Sequence, residues 1–433
     1  MNQLAEQLNQ TLADTVLARA LSNIGQRMYF PKGIVAQSAE AKERAHRFNA
    51  TVGMAYDGAE VMSLPTMREL IAPLSPSAAL AYAPTGGLPQ LRAAWKSALE
   101  DKNPSLAGLA MTQPVVVPGL TAGLAVVSEL LVDPGDTVVL PDLFWGNYRL
   151  MLVERRGATL SEFTLLTETG AFDRASFAAA IEAAARRGKV TVLLNFPNNP
   201  AGYTPGEADM IFIRDVLVKA AEQVPVIAIA DDAYFGLVYD ETAARESVFA
   251  SLASASPNIL AVKVDGATKE EFAWGLRVGF VTLAFSGMTP DHAAALEKKL
   301  FGAIRGSVSN SSRLSQELVL RTLHAPDYAA QKQATFDNLR ARYDRMCEIL
   351  RDKSARGIAA QLRALPCNSG YFMSFATGTI DAEALRLSLL EDGIGTIAIG
   401  SRYLRVAFAG VDGEHMAELY AAIFAHAQRL GDA

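Results

Sequence analysis

The sequence predicts an α/β protein: a mostly parallel sheet covered by helices on both faces, joined to a smaller α+β domain. Three observations lead there. Short β-branched runs recur through the middle of the chain, at 115–117, 137–140, 190–194, 226–230, 260–264 and 278–285. Helical stretches separate them, among them 122–131, 175–187 and 207–223. The runs are apolar nearly throughout, the pattern of strands buried on both faces.

The remaining elements follow in chain order. About the first 25 residues read as an amphipathic helix. An irregular stretch follows from Tyr29, with Pro31 and Gly33, and a strand-like run ends at Val52, Gly53 and Met54. From Leu88 a helix carries Leu91, Trp95 and Leu99 at helical spacing. The last third differs from the middle. A long charged helical pattern covers 327–351, shorter strands are expected at 371–375 and 404–408, and a final helix at 413–429.

Composition narrows the function classes. The chain has 433 residues, of which 50% are hydrophobic and 20% charged, enough for a large core and about two to three domains. A net charge of −6 argues against nucleic acid as a partner. The two cysteines, Cys347 and Cys367, fit a reducing cytosol better than a disulfide framework. The N-terminal residues lack the basic and apolar regions of a signal peptide, and runs such as 224–230 are too short to span a bilayer. The five histidines show no metal-binding spacing. A cytoplasmic protein is therefore expected, without membrane, nucleic-acid or metal partners.

Four polar motifs follow predicted strands, where α/β sheets bind ligands. Pro118, Gly119, Leu120, Thr121, Ala122 and Gly123 open a helix. Backbone N–H groups there attract an anion, and Thr121 adds a hydroxyl. It is neither a Walker loop nor a dinucleotide fingerprint, and an ordinary strand–helix turn has the same form. Asn195 to Gly202, reading NFPNNPAG, is a rigid turn offering amide donors. Asp231, Asp232, Ala233 and Tyr234 put a carboxylate at a strand end, where it can pair with a ring nitrogen or cap a helix. Thr268 and Lys269 lead into Glu270 and Glu271, with Arg277 eight positions after the lysine. A lysine here can form an imine if burial and nearby cations keep its amine neutral.

In this order and spacing, the motifs resemble those of class I aminotransferases, in particular the aspartate/aromatic group, over about 49–405. The resemblance implies pyridoxal 5'-phosphate as cofactor and the fold type I architecture. That means a seven-stranded-type sheet in a large domain, expected at 61–335. A small domain is expected from 336–433, joined by an N-terminal arm at 1–60. It implies a Schiff base at Lys269, and a phosphate cup from Gly119, Leu120, Thr121 and Arg277. Asp231 would pair with the pyridine nitrogen, Asn199 and Tyr234 would donate to the phenolic oxygen, and Trp145 would stack on the ring. Arg405 would clamp the substrate α-carboxylate as a bidentate fork, with Gly53 in the segment closing over the substrate. Tyr82 would reach the phosphate of a neighbouring subunit, and Arg305 would cross the interface to a second carboxylate. Both roles require a homodimer with shared sites.

Three departures from the family pattern stand out. Gly266 replaces a phosphate-binding serine, with Thr268 as a partial substitute. Tyr148 falls where a histidine usually backs the ring-pairing aspartate. Glu270 and Glu271 form an acidic pair directly after the lysine. The implied activity moves an α-amino group between an L-amino acid, dicarboxylic or aromatic, and a 2-oxo acid by a ping-pong path. The same residues would also serve a β- or γ-lyase or a decarboxylase of this fold. A ligand-sensing relative is disfavoured, because the N-terminal residues show no basic helix-turn-helix pattern.

Overall fold

The computed structural model describes residues 1–11, 34–51, 53–58, 60–70, 74–351 and 362–432. Its centre is a seven-stranded sheet. The strands are β1 (Val115–Val117), β2 (Thr137–Pro141), β3 (Thr159–Phe163), β4 (Val190–Leu194), β5 (Val226–Asp231), β6 (Ile259–Gly266) and β7 (Gly279–Ala284). They lie in the order β1-β7-β6-β5-β4-β2-β3. Every neighbouring pair is parallel except the two made by β7, which runs against both β1 and β6.

Continuous apolar strands serve two cores at once, because successive side chains face opposite ways. Val138, Leu140, Ile227 and Ile229 join one core, with Leu124 and Val127 of helix Leu120–Leu131 and Leu300 of helix Pro290–Ser307. Val139, Val226, Ala228 and Ala230 join the other, with Phe177 and Ile181 of helix Arg174–Ala185 and Ile213 and Leu217 of helix Glu207–Ala221. Each fully buried aliphatic side chain contributes about 1.5–3 kcal/mol, which keeps the strand ends in fixed positions.

A second sheet of four strands is antiparallel, in the order Arg363–Ala364, Phe372–Ala376, Tyr403–Ala407, Ile397–Ile399. Helices Ala382–Glu391 and Met416–Gly431 pack with it, and the short strand Phe48–Asn49 pairs in parallel with Ile394–Gly395. Helix Tyr328–Arg351 is continuous through 335 and 336, the expected domain border.

Some expectations change. Strand β3 has no apolar run behind it, since it lies at the sheet edge and only Phe163 is buried. The strand expected to end at Val52–Met54 is instead Phe48–Asn49; Gly53 and Met54 form a bend, and Val52 lies outside the described residues. Of the long N-terminal helix, Gln3–Thr11 is seen; residues 12–33, with Tyr29, Pro31 and Gly33, lie outside the described part.

Candidate active site

The loops after β1, β4, β5 and β6 leave the same edge of the sheet. They converge on a cavity of about 190 Å³ that also receives Gly53, Trp145, Phe372 and Arg405. Lys269, Asp231, Asn199, Tyr234, Thr268, Arg277, Leu120 and Thr121, all expected at the site, line this one space.

Asp231 ends β5 and is buried. Tyr148 Oη donates to its Oδ2 at 2.5 Å, and the Ala233 N–H donates to its Oδ1 at 3.2 Å. Burial raises the carboxyl to about 6, against the opposing pull of the Tyr148 bond and of Lys269. Burial also raises the Tyr148 phenol well above its ordinary value, so it stays a donor. Asn195 Nδ2 donates to the Asp231 carbonyl at 2.8 Å, and Asn195 Oδ1 accepts from the Asn199 N–H at 2.8 Å. Asn195 thus fastens two strand ends together.

Lys269 sits in the turn Ala267–Glu270 that follows β6. Its Nζ lies 4.8 Å from the Tyr234 ring centroid. Burial lowers the amine to about 8; Arg277 adds to that lowering, while Asp231 works against it. The unexpected Glu270 and Glu271 are both buried beside it. Lys102 Nζ approaches Glu270 at 2.7 Å, and Lys332 Nζ approaches Glu271 at 2.6 Å.

The anion-binding corner is shaped by glycine. Gly119 has φ 83° and caps helix Leu120–Leu131. A Cβ placed there would stand 2.3 Å from Arg277 Nη2, so the guanidinium passes directly over this turn. A Cβ at Gly266 would meet the Val278 carbonyl at 2.6 Å and Gly279 Cα at 2.7 Å. The backbone entering β7 thus approaches Gly266 too closely for a side chain. Thr268 Oγ1 is buried and has no hydrogen-bond partner among the described residues. An unpartnered buried hydroxyl is costly, and an anion beside Arg277 and the helix N-terminus would satisfy it.

Arg405 enters from the small sheet and is 1% exposed. Its Nη1 donates to Asn199 Oδ1 at 2.9 Å and its Nη2 to the Thr51 carbonyl at 2.9 Å. Its Nε has no partner among the described residues. The guanidinium carbon stands 4.0 Å from the Phe372 ring centroid. Burial lowers Arg405 to about 10, and no carboxylate pairs with it among the described residues. Phe372 escaped the sequence reading because only the register of its strand against Tyr403–Ala407 places it beside Arg405.

Trp145 lines the cavity, its ring edge-on to Tyr148 at 5.7 Å and 86°. Tyr82 and Arg305 are not brought into the cavity by their own chain. Tyr82 is 88% exposed, and Arg305 Nη1 donates to Ser309 Oγ at 2.6 Å on the exposed end of helix Pro290–Ser307.

The family described as aminotransferase class I and II matches residues 54–423. The chain belongs to that family. This aminotransferase is 25% identical over 324 residues to an aspartate/prephenate aminotransferase of Thermus thermophilus, covering 73% of this chain and 74% of that protein. The corresponding enzyme of Cereibacter sphaeroides is 24% identical over 347 residues, 76% and 80% of the two chains. Among solved structures, an aminotransferase from Anaerococcus prevotii superposes with TM-score 0.81 at 21% identity, covering 92% of this chain and 97% of that one. A Thermus thermophilus aspartate aminotransferase single mutant superposes with TM-score 0.75 at 22% identity, covering 94% and 99%. The architecture is fold type I, and the enzyme depends on pyridoxal phosphate. The cavity suits that group. A lowered amine, a buried carboxylate and the unsatisfied Thr268 hydroxyl share this cavity, the kinds of group that an aldehyde, a ring nitrogen and a phosphate would each need. Among the described residues no helix is long and apolar enough to cross a membrane.

Proposed function

We propose that the protein moves an α-amino group between an L-amino acid, dicarboxylic or aromatic, and a 2-oxo acid, in two half-reactions through one site. The observation that carries this reading is the meeting of Lys269, Asp231, Arg277 and Arg405 in one cavity. Bound pyridoxal phosphate supplies a carbonyl carbon that takes up amines and a protonated ring that accepts electron density. Lys269 holds the cofactor at rest. Once displaced, its amine, neutral above about pH 8, takes the proton from the substrate Cα and returns it. Asp231 keeps the ring nitrogen protonated, with Tyr148 supporting it. Asn199 and Tyr234 are placed to donate to the phenolic oxygen. Thr121, Thr268, Arg277 and the N–H groups after Gly119 hold the phosphate. Trp145 covers the ring.

Arg405 receives the substrate carboxylate, with its free Nε added to the fork. The names of the relatives put aspartate and prephenate first among substrates to try. Residues 61–335 are taken as the cofactor-binding domain, and 1–60 with 336–433 as the arm and smaller domain. A second copy of the chain completes the site. Leu80, Tyr82 and Val308 are large apolar side chains left exposed, and Tyr82 and Arg305 would enter the partner's cavity from such a face.

Replacing Lys269 with Ala tests the reading. It is expected to remove the yellow band of the lysine-bound cofactor and to lower turnover by about 10⁴-fold or more. Persistent amino transfer in that variant would refute the assignment. Adding single amino acids to the wild-type protein and recording which bleach the band identifies the substrate.

A further inference from the structure

The acidic pair after Lys269 has a structural partner that the amino-transfer scheme does not use. Glu270 and Glu271 are 4% and 1% exposed. Two adjacent buried carboxylates demand cations. Lys102, in the last turn of helix Pro89–Lys102, supplies one to Glu270. Lys332 supplies the other to both, at 3.3 Å from Glu270 and 2.6 Å from Glu271. Tyr328 Oη adds donor contacts to the Glu271 carboxylate at 2.9 and 2.8 Å. Against the upward pull of burial, Lys102 and Lys332 hold the Glu270 carboxyl well below its ordinary value.

Lys332 and Tyr328 stand at the start of helix Tyr328–Arg351. Ten residues on, Arg342 donates to the Ala409 carbonyl at 2.8 Å and to Asp412 Oδ1 at 2.7 Å, just beyond the strand Tyr403–Ala407 that carries Arg405. Tyr343 Oη donates to the Cys367 carbonyl at 3.0 Å, just before the neighbouring strand. One rigid helix therefore holds the Lys269 turn at one end and the Arg405 sheet further along.

We infer that Lys332 is a positioning residue for amino transfer: through Glu270 and Glu271 it fixes the turn bearing the Lys269 amine to the helix that also fixes the Arg405 strand. Lys332 does not line the cavity. Its effect is on where the amine stands relative to the clamped carboxylate, and a proton transfer is steeply sensitive to that placement. The inference rests on the role of Lys269 proposed above.

The test uses the cofactor-loaded protein with Lys332→Met, Lys332→Arg and the double variant Lys332→Met with Glu271→Gln. The double variant removes the unpaired acid and keeps the question open to test if the single variant does not fold. In the Met variants kcat is expected to fall about tenfold, with KM changed by less than about threefold. The pH midpoint of the yellow band is expected to move by about half a unit or more, because the Lys269 nitrogen that carries the cofactor shifts between Asp231 and Arg277. Lys332→Arg is expected to restore both. A folded Met variant, single or double, with kcat within about twofold of wild type and an unmoved midpoint overturns the inference, even if it melts earlier. A colourless wild-type protein would instead refute the role of Lys269 itself.

Discussion

Tyr148 donates its phenolic hydrogen to Asp231 Oδ2 at 2.5 Å, and both side chains are buried. A neutral donor thus supports the carboxylate that lines the cavity. Burial has raised that carboxyl to about 6, and the Tyr148 bond is the foremost force holding it down. Tyr148→Phe removes the bond, so Asp231 keeps its proton to higher pH. The acid limb of kcat/KM is expected to move up by about one pH unit. A profile superimposable on that of wild type would reduce the phenol to a space-filler.

The same burial makes Asp231 costly to the ligand-free protein. Its carboxyl rises from 3.8 to about 6 on folding. The folded state therefore binds the extra proton between those values. This contribution to stability is complete below 3.8 and disappears as pH rises through 6. Ligand-free Asp231→Asn is expected to be more stable than wild type near neutral pH by about 1–2 kcal/mol. The gap should close on acidification, and thermal melts across pH would show it. Equal melting temperatures at neutral pH would contradict the strained-carboxylate account.

The Lys269 amine is lowered from 10.5 to about 8 by burial first and by Arg277 second. Only the neutral amine attacks an aldehyde, so the rate at which ligand-free protein takes up the cofactor should follow its deprotonation. The rate is expected to climb about tenfold per pH unit in the acid range and to level off above about pH 8. Stopped-flow absorbance reads this directly. A rate still climbing past pH 10 would indicate an ordinary exposed lysine.

Gly119 combines a positive φ of 83° with an Arg277 nitrogen 2.3 Å from where a Cβ would sit. Gly119→Ala should push the guanidinium off the turn and strain the backbone by about 1 kcal/mol. Cofactor dissociation constants are expected to rise about tenfold or more. Gly275→Ala, where a Cβ meets nothing within 4 Å, is the control and should leave binding unchanged.

The seven-stranded sheet was legible because most of its strands carry apolar runs, and both cores draw on the same runs. Strand β3 was not, because an edge strand with polar residues such as Ser161 and Glu162 has no such signature. The meeting of Lys269, Asp231, Asn199 and Arg277 in one cavity was legible because Asp231 closes a strand and the other three lie in loops that follow strands, each in a recognisable local pattern. Phe372 was not, since its nearness to Arg405 depends on pairing between distant strands. Glu270 and Glu271 looked anomalous for the same reason. The lysines that pair with them come from positions 102 and 332, and no local pattern connects those positions. The tight approach of Val278 and Gly279 to Gly266 likewise has no local signature, because it comes from pairing between two strands.

Arg405 is gripped by Thr51 from near the beginning of the chain and by Asn199 from the middle. A polypeptide that has completed all of the seven-stranded sheet already carries Lys269, whereas Arg405 is still to come. The substrate clamp proposed for Arg405 would therefore be assembled last, where the closing portion of the sequence meets its opening. Fragments ending before residue 400 would be expected to turn yellow with pyridoxal phosphate while leaving amino acids untouched.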